Sequence, residues 1–213
     1  QPRSRGLGDV YKRQDKGGIP MMKEKYALLK GSRFFQGLKN RPILATWDDH
    51  DFGENDGGME YAHKKEAQAE FWNWLDEPAD SPRRKQEGVY HAQTFGPVGK
   101  RVQIIMLDTR YFRSPLKKVT KDRAMLGGTA VPTDDESTSI LGEDQWNWLA
   151  KVLGEPAELR IIVSSIQLAP EAHGGECWGN FPYEQRRLLT LLRGQPALVL
   201  SGDRHWCEFS RLG

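Results

Sequence analysis

Residues 42–51 read Pro-Ile-Leu-Ala-Thr-Trp-Asp-Asp-His-Asp, a short apolar run that ends abruptly in three carboxylates and an imidazole. The run follows the turn-forming Lys39-Asn40-Arg41, so 42–47 is expected to be a strand with Asp48, Asp49, His50 and Asp51 at its exit. Working outward, two later apolar runs end the same way. Ser165 and Gln167 follow the strand-like 160–163, and Asp203 and His205 follow 197–201. Polar side chains at strand ends are how α/β folds build sites. A pair of closely spaced cations needs carboxylate, imidazole and amide-oxygen ligands from several strands, because no short stretch can surround two ions. A lone Asp-His pair near a turn is more often a helix cap or a solvated feature; three such clusters together outweigh that reading.

Between these clusters helical and extended periods alternate, the pattern of an α/β domain. Residues 21–38 are helix-like. Residues 60–75 place Ala62, Ala67, Phe71, Trp74 and Leu75 on one helical face, ended by Pro78, Ser81 and Pro82. Strands at 89–95 and 101–107, joined by Gly96-Pro97-Val98-Gly99, predict a hairpin that delivers Asp108-Thr109-Arg110 at its exit. Residues 114–139 are polar and aperiodic, as expected of a flap or an insert. Residues 142–153 form a helix with acidic residues in the first turn and Lys151 near its end. A strand at 160–168, a helix at 183–192 with Leu188, Leu189, Leu191 and Leu192 inward, a strand at 197–201 and a strand restart at 208–212 complete the reading. Trp72, Trp74, Trp146 and Trp148 lie at helical spacings that assign them to the core.

Residues 4–14 match the in-frame translation of a common transposase sequencing adapter, so 1–14 is read as an adapter-derived artefact and 15–213 as the domain, truncated at both ends. The net charge of +2 then loses its meaning: without that segment 27 basic and 28 acidic residues remain. Mixed charges with no basic block give no reason to expect specific nucleic-acid recognition. No apolar run approaches the roughly 20 residues of a membrane span. Cys177 and Cys207 are too few for a disulfide scaffold and are compatible with one bridge or with two free thiols.

Four segments in order carry a resemblance: WDDHDFGENDGG at 47–58, LDTRYFR at 107–113, ILGEDQWNWL at 140–149 and SGDRHWCEFSRL at 201–212. Their order resembles that of the PhoD-like (alkaline phosphatase D) family of calcineurin-like metallophosphoesterases. The resemblance implies two facing sheets flanked by helices around a centre of two or more ions, divalent or ferric, among Ca, Fe, Mn and Mg. It implies Asp49, Asp203, His205 and Gln167 as ligands. His50 is implied as the group that assists the leaving oxygen, and Asp51 as the carboxylate that orients its ring. The superfamily has Asn at the Asp49 position, His at the Asp203 position and a middle His on the strand that here bears Ser165 and Gln167. These departures make the site oxygen-rich, which favours hard ions. An upstream Gly-Asp-X-X-Tyr-type motif of the family is not in this sequence.

The resemblance further implies hydrolysis of phosphate mono- or diesters, of small-molecule or polymeric phosphoesters, in an extracytoplasmic setting, with the fragment inactive alone. The alternative is a catalytically degenerate domain kept for binding or scaffolding, and a third reading is a hydrolase that uses its Asp-His pairs without bridging metals. Arg110 and Arg204, each beside a polar cluster, are read as forks for phosphate. Arg110 could equally pair with Asp108 or cap a carbonyl. His173, in a Gly-rich stretch, is read as solvent-exposed, with a reach into the site as the lesser option.

Overall fold

The computed structural model describes residues 18–38, 41–125, 128–171, 173–205 and 207–211. The expected boundary at residue 14 lies outside them. Strands β1 (His91–Phe95), β2 (Val102–Met106), β3 (Leu159–Ser164) and β4 (Ala197–Ser201) form one sheet in the order β1-β2-β3-β4. The described residues contain this four-stranded sheet flanked by helices, and the second, facing sheet is not among them.

β1 and β2 pair antiparallel, with His91 opposite Met106. Their connection turns at Gly96, whose φ is +94° and where a Cβ would stand 2.3 Å from the Lys100 carbonyl oxygen, so only glycine fits. β2, β3 and β4 run parallel, Ile104 opposite Ile161 and Ile162 opposite Val199. Parallel neighbours require crossover connections. Helix α5 (Gly142–Leu153) lies in the β2–β3 connection and α6 (Pro182–Leu192) in the β3–β4 connection. All the carboxyl ends of the parallel strands therefore lie on one edge, and the site forms there.

Gln145, Trp146, Leu149, Val152 and Leu153 of α5 are buried at helical spacing. Trp146, Leu149, Val152 and Leu153 join Ile105, Ile162, Trp178 and Leu188 in the larger core. Burying side chains of this size stabilises by about 1.5–3 kcal/mol each, which is why this face and no other turns inward. Glu184 of α6 is buried in the same layer and accepts from Trp146 Nε1 at 2.8 Å and from the Ile140 amide at 2.8 Å, so α6 is keyed to the start of α5. A second core forms around Trp47, Phe52, Phe71, Trp72 and Tyr111, together with Met22 and Tyr26. It packs α1 (Gly18–Gly31) and α4 (Lys64–Trp74) around the 47–52 segment.

Four expectations need correction. Residues 42–47 are not a strand among the described residues: β2, whose exit they join, already has β1 and β3 on its two edges. Side chains attach the segment instead, Thr46 Oγ1 donating to the Leu107 carbonyl at 2.7 Å and Trp47 Nε1 to Asp108 at 2.9 Å. The single helix expected over 21–38 is two, α1 and α2 (Arg33–Gly37), because Ser32 adopts an extended conformation and its hydroxyl caps the Phe35 amide. In α4 Ala67 and Phe71 are buried and Trp74 and Leu75 pack against the same core as expected, but Ala62 lies before the helix and is exposed, and Gln68 and Trp72 are buried as well. The amide of Gln68 explains its burial, since it bridges the Gln86 carbonyl and the Gly88 amide. Residues 207–211 form no strand, and Phe209 is exposed.

Candidate active site

Asp108, at the exit of β2, organises the edge. One of its oxygens accepts from Trp47 Nε1 and from the Arg110 and Tyr111 amides at 2.9–3.0 Å, and the other accepts from the Val89 amide at 2.8 Å. Its carboxyl is fully buried, and burial pushes its pKa up while these four donors pull the other way. Asp108 is thus a satisfied structural acceptor whose effect is to hold Trp47, and with it the next residue, at the sheet edge.

That next residue, Asp48, precedes the short helix α3 (Asp49–Phe52). Arg110 Nε donates to Asp48 Oδ1 at 3.0 Å, and Nη2 contacts the same oxygen. Asp49 is buried, and its oxygens accept the His50 amide at 2.7 Å and the Asp56 amide at 3.2 Å. The α3 segment closes at Gly53, φ +117°, where a Cβ would meet the Tyr61 hydroxyl at 2.6 Å.

Asp203 arrives from the exit of β4, tied back by the Gly202 amide on the Ser165 carbonyl at 3.1 Å. Both Asp203 (φ +69°) and His205 (φ +57°) sit in the left-handed region, a strain of order 1–3 kcal/mol per residue that such sites commonly carry. Oxygens of Asp48, Asp49 and Asp203 all lie within 4.8 Å of one another. Burial and the neighbouring Asp48 raise the Asp203 carboxyl to about 7, against the pull of Arg110. Burial and Asp48 likewise raise Asp51 to about 7. Three hard oxygen donors forced together, with Arg110 directed at only one of them, are the donor set that a hard cation fits.

These residues open on a cleft of about 630 Å³, walled opposite by Lys118, Thr129 and Ala130 of the long loop. In this loop Lys118 pairs with Ala130 and Met125 with Gly128 in antiparallel bridges, and the Ala130 amide donates to the Gly174 carbonyl at 2.8 Å. Of the residues singled out in the sequence, Asp49, His50, Asp51, Asp203, Arg204 and His205 all line this one cleft. An Asp49 oxygen stands 3.9 Å from His50 Nε2, beyond hydrogen-bond length.

Two residues are placed elsewhere. Gln167 does not line the cleft; its backbone carbonyl accepts from the Trp178 amide, and its buried side-chain oxygen has no hydrogen-bond partner among the described residues. Arg110 is fully buried, with its guanidinium on Asp48 and Glu176, so it is not a surface fork open to phosphate. The partner Asp108 expected for its side chain is met by its backbone amide instead. His173 is partly buried rather than solvent-exposed; its Nδ1 accepts the Gly175 amide at 3.0 Å, and burial followed by Arg204 lowers its pKa. Cys177 is a buried free thiol and Cys207 an exposed one.

Sequence reasoning placed Asp48 in the polar cluster at 48–51 but did not single it out as a ligand. It also missed Lys118 and Glu176, which nothing in the one-dimensional pattern marks.

Fold and cleft together define an α/β domain with an acidic site that could hold a cation, at the carboxyl ends of the parallel strands of a mixed sheet. Residues 22–212 match the family described as PhoD-like phosphatase, and the chain belongs to that family. It is also similar to a solved structure titled "Structure of PhoD", with a TM-score of 0.65 and 20% sequence identity over 88% of this chain. The chain spans 39% of the length of that structure. No curated protein sequence matches the chain.

Proposed function

We propose that the chain carries the catalytic edge of a metal-dependent hydrolase of phosphate mono- or diesters. The observation that supports this reading is the meeting of Asp48, Asp49 and Asp203, from two distant parts of the chain, within 4.8 Å. In it Asp48, Asp49 and Asp203 hold cations, with His205 at the rim of the same cleft. The oxygen-rich set selects hard ions, Ca, Mg, Mn or ferric iron. Such ions lower the pKa of bound water and offset charge on phosphoryl oxygens.

The remaining roles belong to the protein. His50, whose side chain is 24% exposed and lines the cleft with Asp49 and Asp51, gives its proton to the leaving oxygen, a contribution of about 10²–10⁴-fold. Arg204 and the loop residue Lys118 line the same cleft and present positive charge to the substrate's non-bridging oxygens. Arg110 orients Asp48 rather than touching substrate. The phosphoester is small or polymeric, and the location follows the family's extracytoplasmic habit; no helix among the described residues is long and apolar enough to cross a membrane.

The test has two stages. Titration calorimetry of the chain with Mn²⁺ and Ca²⁺ should show binding that Asp49→Asn and Asp203→Asn each abolish or weaken. In the full-length protein carrying this chain, chromogenic phosphomonoester and phosphodiester hydrolysis should fall with His50→Ala while cation content is unchanged. A full-length protein that binds cations but turns over neither ester would leave the scaffolding alternative as the answer.

A further inference from the structure

We infer that Glu176 is a positioning residue for the cation-binding carboxylates, acting on Asp48 through Arg110. The inference rests on the reading of Asp48, Asp49 and Asp203 as cation ligands. Glu176 comes from a different part of the chain, the Gly-rich loop, and its carboxylate is 1% exposed. One of its oxygens pairs with Arg110 Nη1, and the other lies 2.7 Å from Arg113 Nε. Arg110 and Arg113 are themselves 0% exposed, so two buried cations share a single buried counter-ion.

The geometry makes this more than charge balance. A guanidinium is planar and rigid, so fixing one edge aims the other. Glu176 holds Nη1, and the Nε and Nη2 edge then faces Asp48. The second arm reaches Asp49 by a longer path. Arg113 Nη2 donates to the Asp56 carbonyl, and the Asp56 amide donates to Asp49 Oδ2 at 3.2 Å. One carboxylate therefore orients two ligands through two arginines. It also shares the charge of Arg110, so that Asp48 keeps more of its own negative charge for a cation than a simple Arg110–Asp48 pair would leave it. The loop that bears Glu176 is itself pinned, by the Cys177 amide on Asn180 Oδ1 at 2.8 Å and the Trp178 amide on the Gln167 carbonyl at 3.0 Å.

Mn²⁺ and Ca²⁺ titrations of the chain, each with a thermal melt in chelator, decide the matter for Glu176→Gln, Glu176→Asp and the double variant Glu176→Gln with Arg113→Met. Residues that orient ligands from behind typically cost 10–100-fold in metal affinity, and Glu176→Gln should weaken binding by about that factor. Glu176→Asp, which keeps the charge, should recover most of the loss. The double variant removes one buried charge of each sign, so its melt should recover while its cation affinity stays low, because Arg110 Nη1 keeps only the Gly57 carbonyl at 3.5 Å and still lacks its charged partner. Wild-type affinity in folded Glu176→Gln, or affinity restored together with stability in the double variant, would reduce Glu176 to a counter-ion and overturn the inference alone. Should the single variant not fold, the double variant carries the decision. A wild-type chain that binds neither ion overturns the cation-site reading and this inference with it.

Discussion

Arg110 Nε donates to Asp48 Oδ1 at 3.0 Å across 62 residues of sequence, at a guanidinium with no exposure to solvent. A buried arginine of this kind fixes the orientation of the carboxylate it pairs with. Arg110→Met leaves the partly exposed Asp48 without its cation and leaves Glu176 with Arg113 alone, so it should destabilise in urea unfolding by less than the roughly 3–5 kcal/mol of a wholly orphaned buried charge. Arg110→Lys keeps the charge but loses the fork, so the fold should survive with weakened cation binding. A methionine variant as stable as wild type would show that the pair contributes nothing.

Asp48, Asp49 and Asp203 repel one another when no cation separates them. Asp203→Asn removes one of the three charges. In excess chelator its melting temperature should equal or exceed that of wild type, and the rise that Ca²⁺ or Mn²⁺ produces in wild type should shrink in the variant. A lower melting temperature in chelator would mean that Asp203 stabilises the fold by some other contact.

Asp108 accepts from four donors and is fully buried. Asp108→Asn turns part of that acceptor surface into a donor that faces N–H groups. The oxygen that Asn retains can stay on the shared donors of Trp47, Arg110 and Tyr111, which turns its NH2 against the Val89 amide; a donor left unpaired costs about 1–3 kcal/mol, and stability should fall by about that much. A variant with unchanged stability would remove Asp108 from its structural role.

Gly175 lies beneath Arg204: a Cβ there would be 2.5 Å from Arg204 Nη1 and 2.9 Å from His173 Cε1. The obstructed Nη1 atom is the far end of a flexible side chain, so Gly175→Ala should fold and displace the guanidinium. Inhibition by inorganic phosphate should weaken by about tenfold, the equivalent of one charge-assisted hydrogen bond, with cation affinity intact. Unaltered phosphate inhibition would separate Arg204 from the substrate.

Glu77 provides a pH test remote from the cleft. Burial raises its carboxyl, but hydrogen bonds from Ser81 at 2.5 Å and Arg83 Nε at 2.9 Å, with the charges of Arg83 and Arg84, hold it below its ordinary 4.5. A carboxyl with a depressed folded-state pKa stabilises fully above its unfolded value, and that contribution is lost as pH falls through the folded value. Acid unfolding below about pH 4.5 should therefore be shallower in Glu77→Gln than in wild type, the two differing most at neutral pH. Parallel stability curves across that range would refute the linkage.

Much of the fold was legible from local pattern. The helix at 142–153 and the strand at 197–201 appear with the predicted bounds, because acidic first-turn residues, apolar spacing and turn residues act within a few positions of one another. The failures share a cause. Whether 42–47 pairs as a strand depends on which edges of β2 are free, and the burial of Gln68 in α4 depends on its finding Gln86 and Gly88. Neither is a property of the segment itself.

By itself the sequence determined the alternation of helices and strands, the placing of Asp203 at a strand exit, and the family resemblance that the family match bears out. Tertiary structure alone decided which of the polar side chains meet: the Asp48 carboxylate rather than the Gln167 amide joins Asp49 and Asp203, and Arg110 turns inward to Glu176. The reason is physical. Hydrophobic period and turn chemistry are short-range and written in neighbouring residues, whereas an ion pair in a dry interior depends on distance through space, which only the packed sheet edge sets.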